Sequence, residues 1–127
     1  MKILHNGLTF RSKEESDKFL IDFLGLEIKR SFTGEKWLMK ECFGINKDIE
    51  IIHYGNEEAL LEVFINDNVS EKKDKIVHIC IEVDDRDSLV DKAAAIGIES
   101  IVIPRKDSEK GYYLFIRDSS NNLYEIK

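Results

Sequence analysis

The chain carries its own outline twice. Residues 3–28 can be laid over residues 76–100. The first stretch reads Ile3-Leu4-His5-Asn6-Gly7-Leu8-Thr9-Phe10, then a polar turn, a helical segment and Leu24-Gly25-Leu26-Glu27-Ile28. The second reads Ile76-Val77-His78-Ile79-Cys80-Ile81-Glu82-Val83, then a polar turn, a helical segment and Ile96-Gly97-Ile98-Glu99-Ser100. His5 falls on His78, Leu8 on Ile81, Phe10 on Val83 and, after one deletion, Gly25 on Gly97. Both halves also close alike, on Leu61-Glu62-Val63 and Tyr124-Glu125-Ile126. A supersecondary unit used twice leaves few arrangements open.

The shift is 73 between the histidines and 63 between the glutamates, so the first half holds an insertion of ten residues. Residues 35–44, Glu-Lys-Trp-Leu-Met-Lys-Glu-Cys-Phe-Gly, fit it. Trp37, Leu38, Glu41 and Cys42 stand in i, i+4 relations and Gly44 supplies a stop, which predicts a short helix. Strands are predicted at 3–10, 26–33, 48–54, 59–66, 76–84, 100–104, 111–117 and 122–126, where β-branched and aromatic residues alternate with polar ones. Ser12 and Asp85 stand where N-caps belong. Behind them Phe19, Leu20, Phe23 and Leu24, and Leu89, Val90, Ala93 and Ala94, form apolar stripes that end at Gly25 and Gly97. Each half is thus a βαβββ unit. Tyr54-Gly55-Asn56 and residues 118–122 carry turn chemistry. The polar run 67–75 reads as the linker, with unit one at about 1–66 and unit two at about 76–127, together one domain.

Composition narrows the partners. A formal charge of −6, from 19 basic and 25 acidic residues, argues against a nucleic-acid binder, which displaces counterions with a basic face. No apolar run approaches the roughly 20 residues of a membrane span, and no leader precedes the first strand. A cytoplasmic protein with no membrane partner is expected. Cys42 and Cys80 show neither disulfide nor metal spacing and are read as reduced thiols.

Strand alternation sorts side chains by face. Leu4, Leu8 and Phe10 face the first helix while His5, Gly7 and Thr9 face away. Val77, Ile79, Ile81 and Val83 face the second helix while His78, Cys80 and Glu82 face away. Glu62 shares a face with Leu60 and Phe64, opposite Leu61, Val63 and Ile65. A carboxylate in so apolar a strand carries a desolvation penalty of several kcal/mol unless it is paired or metal-bound. Glu125 poses the same problem. Two imidazoles and two carboxylates at equivalent positions of a duplicated unit suit a divalent ion such as Ni²⁺, Co²⁺, Zn²⁺, Fe²⁺ or Mn²⁺. The plain alternative makes each histidine a satisfied core residue and each glutamate a solvated one. His53 is either an acid or base reaching the site or a peripheral residue. Cys80 is a packing residue with no activating base. Trp37 and Phe43 belong to core packing rather than to a cap over the pocket. Arg105, Lys106 and Lys110 lie in a predicted loop and read as a solvated charge run rather than as a site for a phosphate or carboxylate tail.

The paired βαβββ units, a strand-borne histidine in each, the Leu-Gly-Leu-Glu-Ile turn and the closing Phe115-Ile116-Arg117-Asp118 … Asn122-Leu123-Tyr124-Glu125 together resemble the vicinal oxygen chelate superfamily. It includes glyoxalase I, methylmalonyl-CoA epimerase, extradiol dioxygenases, and the fosfomycin and bleomycin resistance proteins. The resemblance spans essentially the whole chain. Where the family usually has Asp-Pro-Asp-Gly-Asn, this chain has Asp118-Ser119-Ser120-Asn121-Asn122, which keeps a turn-forming loop. The resemblance implies an α+β fold of curved, mostly antiparallel sheets around a central cavity, often in a homodimer with exchanged units. It implies metal ligands at His5, Glu62, His78 and Glu125, a set similar to that of bacterial glyoxalase I. It further implies a lyase or isomerase that stabilises an enediolate of a small carbonyl or thioester substrate, with Glu125, and with it Glu62, as the catalytic carboxylates. An acyl-thioester epimerase and a small-molecule binding or resistance protein are the alternatives. The inserted helix and the short polar linker depart from the glyoxalase pattern.

Overall fold

The computed structural model describes residues 4–69, 77–105 and 111–127, and contacts within the chain divide it into two compact units, Met1–Val69 and Ser70–Lys127. The linker residues 70–75, with Lys106 and Lys110, lie outside the described residues. No described helix is long and apolar enough to cross a membrane.

Unit one runs β1 (Asn6–Phe10), α1 (Lys13–Ser16, continuing as a π-helix over Asp17–Phe23), β2 (Glu27–Gly34), α2 (Lys36–Phe43), β3 (Ile49–Gly55) and β4 (Leu60–Ile65). Its sheet order is β1-β4-β3-β2, with β1 parallel to β4 and the other pairs antiparallel. Unit two runs β5 (Ile79–Ile81), α3 (Arg86–Ala95), β6 (Glu99–Pro104), β7 (Tyr112–Arg117) and β8 (Leu123–Ile126). Its order, β5-β8-β7-β6, repeats the same parallel and antiparallel pairings. The duplication read from residue types is therefore a duplication of topology, and the α+β assignment with mostly antiparallel sheets holds.

Both helices start as their caps dictate. Ser12 Oγ accepts from the Glu15 amide and Asp85 from the Ser88 amide, each filling one of the orphan donors of a first turn. Each helical segment is followed by a glycine in the left-handed region, Gly25 at φ +78° and Gly97 at φ +73°, a conformation that a Cβ disfavours. The first helix departs from the predicted α form. In its wider π turn Phe19 and Phe23 stack on one side with ring centroids 5.3 Å apart, and with Leu20 they are buried with Phe10, Ile52, Tyr54, Leu61 and Val63 in the core of unit one. In α3 the buried residue is Ala93, with Leu89 and Val90 half-buried. Ala94, placed in the stripe by periodicity, is exposed because the short side chains of this helix define only a narrow contact line.

The insertion forms α2 as expected and ends at Gly44. It packs through Met39 onto Ile49 and Ile51, with Phe32, Ile45 and Phe64 around them. β3 is consequently buried on both faces, which explains its nearly unbroken apolar run Ile49-Glu50-Ile51-Ile52. Gly34 permits the approach: a Cβ there would come within 2.8 Å of Ile51 Cδ1 and Met39 Cε. Core packing for Trp37 and Phe43 is not observed. They are 64% and 57% exposed, because the helix turns Met39 rather than either aromatic toward the sheet.

Candidate functional site

Each parallel edge is shorter than predicted, so His5 and His78 fall just before the first paired residues, Asn6 and Ile79. In both units the residue two positions later lies opposite the glutamate: Gly7 pairs with Glu62 and Cys80 with Glu125. Residues two apart in a strand share a face. Each histidine is thereby aimed at the glutamate of the neighbouring strand. Nε2 of His5 lies 3.2 Å from Oε2 of Glu62, and Nε2 of His78 lies 3.5 Å from Oε2 of Glu125. The four residues singled out in sequence are thus brought together as two like pairs, one in each unit. Within either unit, no group of three or more described His, Cys, Asp or Glu residues is arranged to hold a metal ion.

The chemistry of each pair fits half of a divalent-metal ligand set. Nitrogen and oxygen ligands sit about 2.0–2.2 Å from such an ion, so neighbouring ligands lie from about 2.8 Å apart in octahedral geometry to about 3.6 Å apart in tetrahedral geometry. Both measured separations fall there. Each pair is half-exposed, with side-chain exposures of 42% and 18% for His5 and Glu62 and 33% and 21% for His78 and Glu125, so an ion can reach it.

Around the pairs the units differ. In unit one His53 of β3 stands directly across from Glu62 and meets its second oxygen, Nε2 to Oε1 at 2.9 Å. The His53 ring is edge-on to Phe32 at 5.4 Å and tilted against His5 at 6.1 Å. In unit two the residue across from Glu125 is Phe115, whose ring meets His78 edge-on at 5.9 Å. There the second carboxylate oxygen lies 3.6 Å from Lys127 Nζ. Cys80 is an exposed free thiol raised above its usual range by desolvation and by the neighbouring Glu125 carboxylate, which suits a spectator better than a nucleophile. Arg105 stacks over the Tyr113 ring at 4.5 Å.

A cavity of about 300 Å³ opens in unit one, lined by Gly7, Leu8, Thr9, Phe43, Ile45, Phe64 and Asn66. It adjoins Glu62 because Gly7 and Phe64 share the face of that carboxylate. Sequence reasoning left His53 undecided and assigned Phe43 to the core. Register supplies the missing signal: His53 is on the Glu62 face only because β3 and β4 pair at that offset.

A family model described as the Glyoxalase/Bleomycin resistance protein/Dioxygenase superfamily matches residues 2–126. Among solved structures, a glyoxalase family protein from Enterococcus faecalis superposes with a TM-score of 0.74 at 16% identity, over 98% of this chain and 95% of that one. The fosfomycin resistance protein FosX from Listeria monocytogenes gives 0.73 at 17% identity, over 99% and 91%. A glyoxalase family protein from Bacillus cereus gives 0.69 at 17% identity, over 99% and 94%. A further Listeria FosX structure, a variant protein, is complexed with Mn(II) and a dihydroxypropylphosphonic acid. At these identities the likeness is one of fold. No curated protein matches the sequence.

Proposed function

The chain belongs to the Glyoxalase/Bleomycin resistance protein/Dioxygenase superfamily, and from that premise we propose that it is a metal-dependent, glyoxalase-like lyase or isomerase acting beside a carbonyl of a small molecule. The ligand set is His5, Glu62, His78 and Glu125, two residues from each unit, and the metal is a divalent ion of the Ni, Co, Zn, Fe or Mn type. One observation carries the reading. The same register in two units sets an imidazole nitrogen and a carboxylate oxygen 3.2 Å and 3.5 Å apart, as neighbouring ligands of one ion stand.

A divalent ion held by these residues would supply Lewis-acid stabilisation of negative charge developing on the substrate. The chain supplies the rest. Glu125 takes the proton from the carbon next to the carbonyl on a carboxylate oxygen and returns it to the neighbouring position. Phe115, across from Glu125 and edge-on to His78, gives the pair an apolar neighbour on its β7 side. The cavity walls of Phe43, Ile45 and Phe64 suit a compact apolar substituent on the substrate, at the small end of ligand pockets.

The test begins with elemental analysis of purified protein, then turnover assays with a hemithioacetal and with a 2-substituted acyl thioester. Glu125→Gln is expected to lower turnover by about 10²–10⁴-fold with an unchanged fold. Full activity in that variant refutes the assignment. Tight binding of a small molecule with no turnover of either substrate favours the sequestering alternative.

A further inference from the structure

We infer that His53 is a positioning residue that locks Glu62 into one-oxygen coordination, leaving Glu125 as the carboxylate free to carry the proton; the inference rests on the metal reading above. A glutamate has three rotatable bonds, and a ligand is effective only when its donor is held in place before the ion arrives. The two glutamates are held differently. Glu62 is gripped at both oxygens, Oε2 beside His5 and Oε1 2.9 Å from His53 Nε2. Since an ionised carboxylate only accepts, the His53 Nε2–H donates. His53 itself is fixed, 12% exposed and packed edge-on to Phe32. An outer hydrogen bond of this kind orients a ligand and leaves one of its oxygens for the ion.

Glu125 is held more weakly: its hydrogen bond from β5 comes from the Cys80 thiol, a weak donor, and β7 offers it no imidazole. The equivalent cross-strand position is Phe115, which offers no hydrogen bond, and the other near cation is the exposed, four-carbon side chain of Lys127 at 3.6 Å. A ligand must detach and swing to move a proton. Of the two carboxylates, Glu125 is the one whose surroundings permit it, while Glu62 stays as a fixed anchor. The duplication supplies the control, because a phenylalanine already occupies this site in the other unit.

The experiment titrates Co²⁺ into the metal-stripped full chain and reads affinity by calorimetry and ligand geometry by the visible absorption of the bound ion. His53→Phe is expected to weaken Co²⁺ binding ten- to hundredfold, with the absorption bands at saturation altered because the released Oε1 is free to join the ion. His53→Gln, whose amide N–H reaches the same point as Nε2, is expected to restore most of the affinity. Circular dichroism checks that all three proteins are folded. His53→Phe binding as tightly as wild type overturns the inference, as does a His53→Gln as weak as His53→Phe. Unchanged bands at saturation in His53→Phe also overturn it, since they mean that His53 never held Oε1 away from the ion. Failure of the wild-type chain to bind any Co²⁺, Ni²⁺, Zn²⁺ or Mn²⁺ overturns the metal reading itself, and this inference with it.

Discussion

Gly7 and Glu62 face each other across the parallel edge of the first sheet, and the absent side chain at position 7 leaves the cavity open beside the carboxylate. The equivalent position in the second sheet, opposite Glu125, is Cys80. Gly7→Leu should therefore fill the cavity without straining the strand. Its Cβ would meet nothing nearer than Phe64 Cε2 at 3.7 Å, an ordinary contact. We expect Gly7→Leu to keep its fold and its metal affinity while binding an aryl hydroxamate about tenfold or more weakly than the wild-type metal-loaded protein. Equal hydroxamate affinities in a competition assay would remove the cavity from the substrate site.

Metal binding should also be visible as stability. An ion that binds only the folded chain stabilises it in proportion to the logarithm of its concentration over Kd, about 2.7 kcal/mol at one hundred times Kd. Thermal unfolding of stripped protein with and without Co²⁺ or Ni²⁺ should show this upshift. Alanine at His5 or at His78 should abolish most of it while leaving the metal-free melting temperature nearly unchanged, since both histidines are substantially exposed. An undiminished upshift in both variants would place the ion elsewhere.

The duplication made most of the fold legible. Two copies of one pattern checked each other, so the number and order of strands, both N-caps and the glycines after both helices agree with the structure, while the two parallel edge strands are shorter than predicted. The inserted helix was legible too, because a mismatch of shifts between the histidine and glutamate pairs fixed its place. Its buried face was not. Trp37 is the bulkiest residue in the segment, yet Met39 enters the core, since the direction in which Gly34 lets the chain turn is a tertiary property. His53 was unreadable for a related reason. Alternation assigns a face within one strand, but only pairing with β4 places that face opposite Glu62.

The loop after β7 departs from the usual family turn but is tied together by Asp118. Its Oδ1 accepts from the Ser120 and Asn122 amides and its Oδ2 from Asn122 Nδ2 and the Tyr124 hydroxyl. Asn121 takes a left-handed φ of 65° within this loop. Asp118→Ala removes the shared acceptor of two buried and two part-buried hydrogen bonds at once, and a single unsatisfied buried group already costs about 1–3 kcal/mol. A loss of about 3 kcal/mol in urea unfolding is expected, with a smaller loss for Asp118→Asn, which keeps an acceptor. A loss below about 1 kcal/mol in the alanine variant would show that the turn forms without this carboxylate.

Two buried tyrosines should make the fold less stable at alkaline pH. The Tyr54 hydroxyl donates to Asp17 Oδ1 at 2.6 Å and lies 2.8 Å from Ser16 Oγ, joining β3 to the start of the π-helix. Burial, with the adjacent Asp17 carboxylate, pushes its pKa well above the usual value of 10.0. Burial and the Asp118 carboxylate do the same to Tyr124. As pH rises past the unfolded-state value, the unfolded chain releases these protons while the folded chain retains them. The folded state then binds more protons, and stability must fall with pH, by up to about 1.4 kcal/mol per pH unit for each such group. Below that window the contribution is fully present and does not vary. Urea unfolding between pH 8 and pH 11.5, in steps of about half a unit, should show a shallow decline from about pH 8.5, where the raised Cys80 thiol begins to contribute, steepening above about pH 10. Tyr54→Phe should cost about 1–2 kcal/mol at neutral pH, from the lost hydrogen bonds to Asp17 and Ser16. It should also make the decline above about pH 10 shallower, because one of the retained protons is gone. An identical slope in the variant would mean that Tyr54 ionises as readily in the folded chain as in the unfolded one.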